Sequence, residues 1–465
     1  MSVTFRIKAS EAHGRRLDPS FYSPQYKQLD EAFASCCYDC YEIRDLRIEV
    51  FQGVSRNLLE NDRIRLLKVK NILPDGSIDF GDTEPISDVS VNKILKDGDI
   101  ISPFIGAAIK GYKFGYFEDR EGERWTFDNN TGVFRNNDER VLSRYLWSFF
   151  QLEITHRQLD RIIGGGGVPY LGAEYAKRLK VILPPLPEQR KIVAELDAAY
   201  AAKRAADERA AKLLASIDDM VLKELGIANL PNPVTSLSSR IFTVPAKEVL
   251  NGRLDSYSYS PFFADNLKRI RTNGYWRLGE LVTLSHRQWD QKEWKGNASG
   301  DFPYIEIGAI SVDDGEIGVV ERVPIADAPS RAKMMVVAGD LLVSLTRPTR
   351  RAIAFATDEA IASTGFAVIH GFSDEVMPEY LSVILRSGLC TYQFDQRSTG
   401  GNYPAITEEQ LLRCEIPITA KEVQMRIAST ASSIRAEARK LKADATAALD
   451  TAKRKIEEEL MIKES

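Results

Sequence analysis

The chain has 465 residues, of which 44% are hydrophobic and 28% charged, with a formal net charge of −4 and a pI near 5.9. That profile fits a folded globular protein with room for two or three cores. It excludes a disordered polyelectrolyte and a protein that coats itself in nucleic acid through bulk charge. No stretch reaches the length of a membrane-spanning helix, and MSVTFRIKASEAHGRRLD has no apolar run behind a basic segment, so no signal peptide is expected. Five cysteines without framework spacing fit a reducing cytoplasm.

In chain order, the first block is Arg16-Leu17-Asp18 followed by Tyr22-Ser23-Pro24, with serine before proline reading as a helix start. It recurs as Arg253-Leu254-Asp255 and Tyr259-Ser260-Pro261; Asp255 minus Asp18 and Pro261 minus Pro24 are both 237. The apolar runs LLKVKNIL and YIEIGAI read as strands and lead into turns at Asp75-Gly76 and Asp314-Gly315. Gly98-Asp99 and Gly339-Asp340 open the β-type segments DIISPF and DLLVSL, and Tyr145-Leu146 and Tyr380-Leu381 open matching amphipathic helices. The turns GGGGVP and TGGNYP follow; Pro404 minus Pro169 is 235, and that register holds from Gln189 to Gln424 and from Ile192 to Ile427. The chain therefore reads as one unit written twice, each copy a mixed α/β globule followed by a long helix.

The first long helix follows the prolines of LPPLPEQRKIV, which hold the chain extended, and ends before Gly226, a suitable left-handed C′ residue. Its four-three seam runs Ile192, Leu196, Ala199, Lys203, Ala206, Ala210, Leu213, Ile217 and Met220, and its length is about 57 Å. The second starts near Lys421 with the seam Ile427, Ala431, Ile434, Ala438, Leu441, Ala445, Ala448 and Ala452. Two such seams predict a long antiparallel two-helix coiled coil with pseudo-twofold symmetry separating the globules, an α/β mixed (α+β) architecture. The segment ANLPNPVTSLSS has the composition of a linker.

Catalytic signatures are missing. Gly164 to Gly167 lead to Val-Pro-Tyr instead of the lysine and hydroxyl of a phosphate loop. No glycine fingerprint for a dinucleotide or S-adenosylmethionine occurs, nor an Asn-Pro-Pro-aromatic run. Glu293-Trp294-Lys295 lacks the upstream carboxylate of a nuclease motif, and Cys37 and Cys40 lack a second pair to complete a zinc site. His13, His156, His286 and His370 are scattered, with no triad context.

Recognition chemistry is better represented. Cations, amides and aromatics combine in Ser285-His286-Arg287-Gln288-Trp289, in Thr346-Arg347-Pro348-Thr349-Arg350-Arg351, and in Gln396-Arg397-Ser398-Thr399 with Asn402-Tyr403. The first half offers Arg56-Asn57, Lys110 with Tyr112-Lys113, Arg120 with Arg124-Trp125, and His156-Arg157-Gln158 with Arg161. Arginine forks match guanine O6/N7, amides match adenine N6/N7, and hydroxyls fix phosphates. The candidate DNA-binding residues are Arg56, Lys110, Lys113, Arg157, His286, Arg287, Gln288, Arg347, Thr349, Arg350, Arg351, Arg397, Asn402 and Tyr403. Framework positions repeat between the copies while these loops differ, as two readers of different half-sites require. A non-catalytic coiled-coil scaffold whose globules bind proteins is the alternative.

The chain resembles the specificity (S) subunit of type I restriction–modification enzymes. The resemblance is carried by LPPLPEQRKIV, by the repeated R-L-D…Y-S-P blocks and by the terminal helix. It implies two target-recognition domains, at 1–183 and 240–419, a central conserved helix at 184–226, a linker at 227–239 and a C-terminal conserved helix at 420–465. It also implies a non-catalytic cytoplasmic subunit that reads a bipartite, asymmetric double-stranded DNA site and docks two methyltransferase (M) subunits, which motor-nuclease (R) subunits can join. S-adenosylmethionine would then belong to the methyltransferase partner, and ATP and Mg2+ to the motor-nuclease partner, with no cofactor or metal in this chain. Pro184, Pro187, Glu188, Gln189 and Gln424 are the expected partner-binding positions; CEIPITAKEVQMRI departs from the proline-rich pattern in the second copy.

Overall fold

The computed structural model describes residues 22–54, 64–86, 93–120, 122–163, 168–229, 241–250, 253, 255–272, 274–290 and 300–461. Arg16-Leu17-Asp18, Arg56, Asn57, Leu254, Gly164 to Gly167 and Glu293-Trp294-Lys295 lie outside them. The chain divides into two compact units, one of Met1–Ala206 with Ala443–Ser465 and one of Asp207–Lys442. Both boundaries fall inside long helices.

In the first unit Pro24 opens a short turn that continues as α1 (Lys27–Ser35), although Ser23 makes no capping side-chain bond. Strands β1 (Asp39–Glu42) and β9 (Lys180–Leu183) pair antiparallel. Strands β2 (Ile48–Gln52), β5 (Ile100–Pro103), β6 (Gly115–Tyr116) and β8 (Thr131–Asn136) form a sheet in the order β2-β8-β5-β6. A second sheet, β4-β3-β7, joins β3 (Ile64–Leu67), β4 (Glu84–Ile86) and β7 (Arg124–Phe127), with β3 parallel to β7. LLKVKNIL is thus strand only at its start. Asn71 breaks it: its side-chain oxygen accepts from Lys68 N–H at 2.9 Å and its amide donates to Asp79 O at 2.9 Å, which holds a tight turn.

The core of this unit is packed by α2 (Ser143–Phe150) and α3 (Glu153–Ile163). Tyr145, Leu146, Trp147, Phe149 and Phe150 are all buried with Phe104, Phe114 and Phe134. Each such side chain contributes about 1.5–3 kcal/mol of burial. Tyr145 OH donates to Ile182 O at 2.6 Å, so the one polar atom of that ring is satisfied.

The second unit repeats the strand pair and the four-stranded order, and extends the remaining sheet from three strands to four. Strands β10 (Tyr275–Arg277) and β19 (Glu415–Pro417) pair antiparallel. Strands β11 (Val282–Leu284), β15 (Leu341–Ser344), β16 (Ile353–Phe355) and β18 (Phe366–Phe372) take the order β11-β18-β15-β16. Strands β12 (Asp301–Ile305), β13 (Glu321–Pro324), β14 (Ala332–Val336) and β17 (Ala360–Ser363) take the order β13-β12-β17-β14, with β12 parallel to β17. YIEIGAI likewise begins as strand and turns at Ile307–Ala309. Its core-packing helices include α5 (Pro261–Thr272), α6 (Pro378–Arg386) and α7 (Gly388–Arg397), and Tyr380 OH donates to Pro417 O at 2.7 Å, the counterpart of Tyr145.

The long helices are α4 (Leu186–Glu224) and α8 (Lys421–Met461). Gly226 sits at φ +65°, with its N–H bonded to Lys223 O and the Ile227 N–H to Leu222 O, a Schellman ending. Within the first unit Ile192, Leu196 and Tyr200 share a core with Leu449, Ile456 and Leu460, and Lys455 reaches Glu195 at 2.7 Å. Within the second, Ile217, Val221 and Leu222 share a core with Ile427 and Ala431, and Arg426 reaches Glu224 at 2.7 Å. In each unit the two segments therefore run antiparallel. The first seam lies on the covered side throughout, but the second slips: Ala448 is exposed and Leu449 is buried in its place. A seam of period 3.5 drifts around a straight helix, and the larger apolar side chain takes the covered position.

Candidate nucleic-acid interface

The loop after β15 leaves the sheet at Thr346, whose backbone bridges to Ala405, while Thr399 bridges to the same residue. Arg347 N–H donates to Pro404 O at 2.6 Å, its guanidinium donates to Asn402 O at 3.0 Å, and it lies 4.4 Å over the Tyr403 ring. Two of the three sequence clusters are thereby one surface, with Arg350, Asn402 and Tyr403 exposed and Thr349 half-buried. The third approaches it through His286, whose Nδ1 is 3.9 Å from Glu408 just beyond Ala405.

Arg347 and Arg351 adopt left-handed backbone conformations, at φ +50° and +63°. Such a conformation costs a non-glycine residue about 1–2 kcal/mol, so the turn is held by its surroundings. At the corresponding point after β5 the first unit has Gly106 at φ +90°, with its N–H donating to Pro169 O at 2.8 Å. The same turn thus carries a glycine in one unit and a strained, ring-stacked arginine in the other.

Several predicted residues are committed internally. Arg351 pairs with Asp218 of α4 at 3.0 Å, and Arg397 donates to Gln393 O at 3.0 Å. Arg287 lies 3.4 Å from Asp340, and the exposed Gln288 donates weakly to the Met334 sulfur at 3.7 Å. In the first unit Lys110 is exposed in the turn that ends at left-handed Tyr112, and Lys113, just beyond it, is half-buried. Tyr112 donates to Asp160 at 2.6 Å and stacks on His156 at 4.3 Å, with Arg157 half-buried beside it. Burial, reinforced by Lys453, pushes the His156 imidazole down to about 4, so this ring is neutral in the folded unit. Arg161 is tied to Asp30 at 2.7 Å, and Gln158 clamps Lys180. Trp125 is core, Arg124 is exposed, and Arg120 covers Phe80 at 4.6 Å.

The expected partner-binding residues divide. Pro187 is exposed and Glu188 half-buried, 3.8 Å from Lys191. Pro184 is buried beside a 570 Å³ cleft that Tyr38, Arg140 and Pro185 also line. Gln189 and Gln424 have an internal role instead. Gln189 accepts from Leu142 N–H at 2.8 Å and donates to Arg140 O and Pro184 O; Gln424 accepts from Met377 N–H at 2.9 Å and donates to Glu375 O and Thr419 O. Both are buried, at 0% and 1% exposure, with all three of these bonds spent on their own unit. The CxxC spacing is also not the pairing observed: Cys36 and Cys40 sulfurs lie 2.7 Å apart, while Cys37 faces Leu460 O. Burial first, then Cys36, pushes the Cys40 thiol up to about 12.

The sequence reading missed the buried aspartates Asp99 and Asp340, which organise each sheet. Asp99 takes two bonds from Arg135, at 2.9 and 2.6 Å; Asp340 meets His370 Nδ1 at 2.6 Å as well as Arg287. The repeated Gly-Asp was the available signal, since an aspartate leading a buried strand needs a cation.

Residues 76–212 match the family model described as the type I restriction modification DNA specificity domain. Over 108 residues the chain is 32% identical to the HindI specificity subunit of Haemophilus influenzae, covering 22% of this chain and 24% of that protein. The aligned part is thus about a quarter of that curated relative. Among solved structures, a chain from a study of assembly and conformational transition of the type I R-M system is 17% identical, covering 92% of this chain and 95% of that one, with TM-score 0.44. The HsdS subunit of Thermoanaerobacter tengcongensis is 17% identical over 91% of this chain and 96% of its own, with TM-score 0.34. The S subunit of M. genitalium is 10% identical over 92% and 97%, with TM-score 0.36. The family that LPPLPEQRKIV resembles is the one named by the domain model and by the HindI relative.

Proposed function

We propose, for a chain that carries a type I restriction modification DNA specificity domain at residues 76–212, that it is the DNA sequence-specificity subunit of a type I restriction–modification enzyme. Each of two duplicated target-recognition domains, 1–183 and 240–419, reads one half of a bipartite, asymmetric double-stranded DNA site. The helices at 184–226 and 420–465 act as an antiparallel coiled-coil spacer and dock two methyltransferase subunits; motor-nuclease subunits join for cleavage. The chain itself is non-catalytic and cytoplasmic. S-adenosylmethionine is the methyltransferase partner's cofactor, and ATP and Mg2+ are the motor-nuclease partner's.

The observation that carries this reading is the recurrence of one strand order around turns of different chemistry: Gly106 and Lys110 in one unit, Arg347, Arg350 and Tyr403 in the other. A shared scaffold with divergent loops reads two different half-sites, and base-edge contacts from arginine and asparagine supply the discrimination. Among the described residues no helix is long and apolar enough to cross a membrane.

The test maps N6-methyladenine in cells carrying the methyltransferase partner with the wild-type chain, with Arg347→Ala/Arg350→Ala, or with no chain. A split motif that needs the chain, and relaxes at one half only in the variant, is the expected result. Methylation indifferent to the chain would leave the protein-binding scaffold in its place. An unchanged motif in the variant would remove those two arginines from the recognition surface.

A further inference from the structure

The second unit holds an open-mouthed cavity of 410 Å³ bounded by the Gly315 turn, Phe355, Met377, Ser382, Met425 and Arg435. Arg435 projects from α8, and its Nε is buried with no hydrogen-bond partner among the described residues. A buried guanidinium nitrogen without an acceptor is a costly arrangement. The neighbouring cation does not relieve it. Among the described residues Arg386 donates to the main-chain carbonyls of Arg351, Ile353 and Val312, and the two guanidiniums repel each other. The nearby carboxylates are Asp314 and Glu316 on the turn and Glu379 at the rim; Glu316 is already paired with Arg439.

The first unit supplies an internal control at positions 235 residues earlier. There Trp147 stands where Ser382 does, Tyr200 where Arg435 does, and Gln151 where Arg386 does. Tyr200 OH donates to Gln151 at 3.2 Å, the Trp147 and Tyr200 rings lie 5.3 Å apart, and Trp147 packs onto Gly76. All three are buried and satisfied. The same place in the fold is therefore filled and neutral in one unit, and open, cationic and unsatisfied in the other.

We infer that this cavity is a binding site for a small organic acid, with its carboxylate on the Arg435 guanidinium and its hydrocarbon body against Phe355, Met377 and Met425. Arginine presents a planar fork that matches a carboxylate, and an apolar wall with one convergent polar group is the usual make-up of a small-molecule pocket. The site is separate from the turn at Arg347 and goes beyond DNA reading, so its failure leaves the proposed function untouched.

The test titrates the full wild-type chain with 4-phenylbutyrate, with its neutral amide, and with inorganic phosphate, by calorimetry and by hydrogen exchange. The acid binds and slows exchange in residues 378–386 and 425–439, and the amide binds at least about tenfold more weakly, the share of one charge-assisted bond. Arg435→Met removes the preference for the acid over the amide, and Ser382→Phe, which fills the cavity without touching the charge, removes binding of both. Binding of phosphate alone shows an anion site without the apolar subsite and overturns the organic-acid assignment. No protection by the acid at millimolar concentration in the wild-type chain, or equal binding of acid and amide, overturns the site itself, whether or not the variants fold.

Discussion

Asp99 and Asp340 precede equivalent central strands, are each 1% exposed, and accept a backbone N–H three residues back, from Lys96 at 2.8 Å and Val337 at 3.0 Å. Their cations differ. Arg135 on β8 is 7% exposed and bonds Asp99 through both edges of its fork; His370, at the matching place on β18, is 52% exposed and shares Asp340 with Arg287. In the first unit the pair is sealed in the sheet. In the second it is opened toward the cation-rich loops, and Arg287 ties one of those loops to the framework. Two units of similar strand order thus keep the buried carboxylate and differ in what it holds.

The comparison breaks most visibly at Arg135. Replacing it with methionine strands a buried carboxylate, which costs about 3–5 kcal/mol, and burial already pushes Asp99 up against the pull of Arg135. His370→Met leaves Asp340 with Arg287 and a backbone donor, so its expected cost is under about 1 kcal/mol. Urea unfolding, with hydrogen exchange to assign the affected unit, should separate the two; equal losses would show that the pairs are equivalent after all.

Acid distinguishes the units next. Below the ordinary imidazole value of 6.5 the unfolded chain takes up a proton that folded His156 refuses until about 4. Stability of the first unit is therefore full above 6.5 and falls as pH drops from 6.5 toward 4, by about 3 kcal/mol at the acid end. The second unit has Thr391 at the matching position, so this imidazole has no counterpart there. His156→Gln should flatten that part of the pH–stability curve in the first unit, and an unchanged curve would remove His156 as its cause.

The smallest expected effect is a similarity. Gln189→Ala and Gln424→Ala each strip three matching bonds from the start of a long helix, and each should cost about 1–3 kcal/mol. Losses of the same size sharpen the account of the two glutamines as one device used twice. A loss at Gln189 alone would show that the proline-rich approach, absent before Gln424, does the holding.

Much of the framework was legible in the residues. The Tyr-Leu pairs, the Gly-Asp strand starts, the Gly226 ending and both long helices follow from spacing, propensity and caps, which act over a few residues. The interruption of LLKVKNIL by Asn71, the slip of the second seam to Leu449 and the internal use of Gln189 and Gln424 were not legible. Each depends on which distant carbonyl or side chain arrives beside the residue. Among the candidate sites, sequence found the cation-rich loops by composition. Only the tertiary structure set Arg347 over Tyr403, diverted Arg351 to Asp218, and left Arg435 facing an empty volume where the first unit has a tryptophan and a tyrosine. Local order is written in neighbouring residues, whereas satisfaction of a buried charge is decided by segments tens of positions away, such as Arg135 for Asp99 and Arg287 for Asp340.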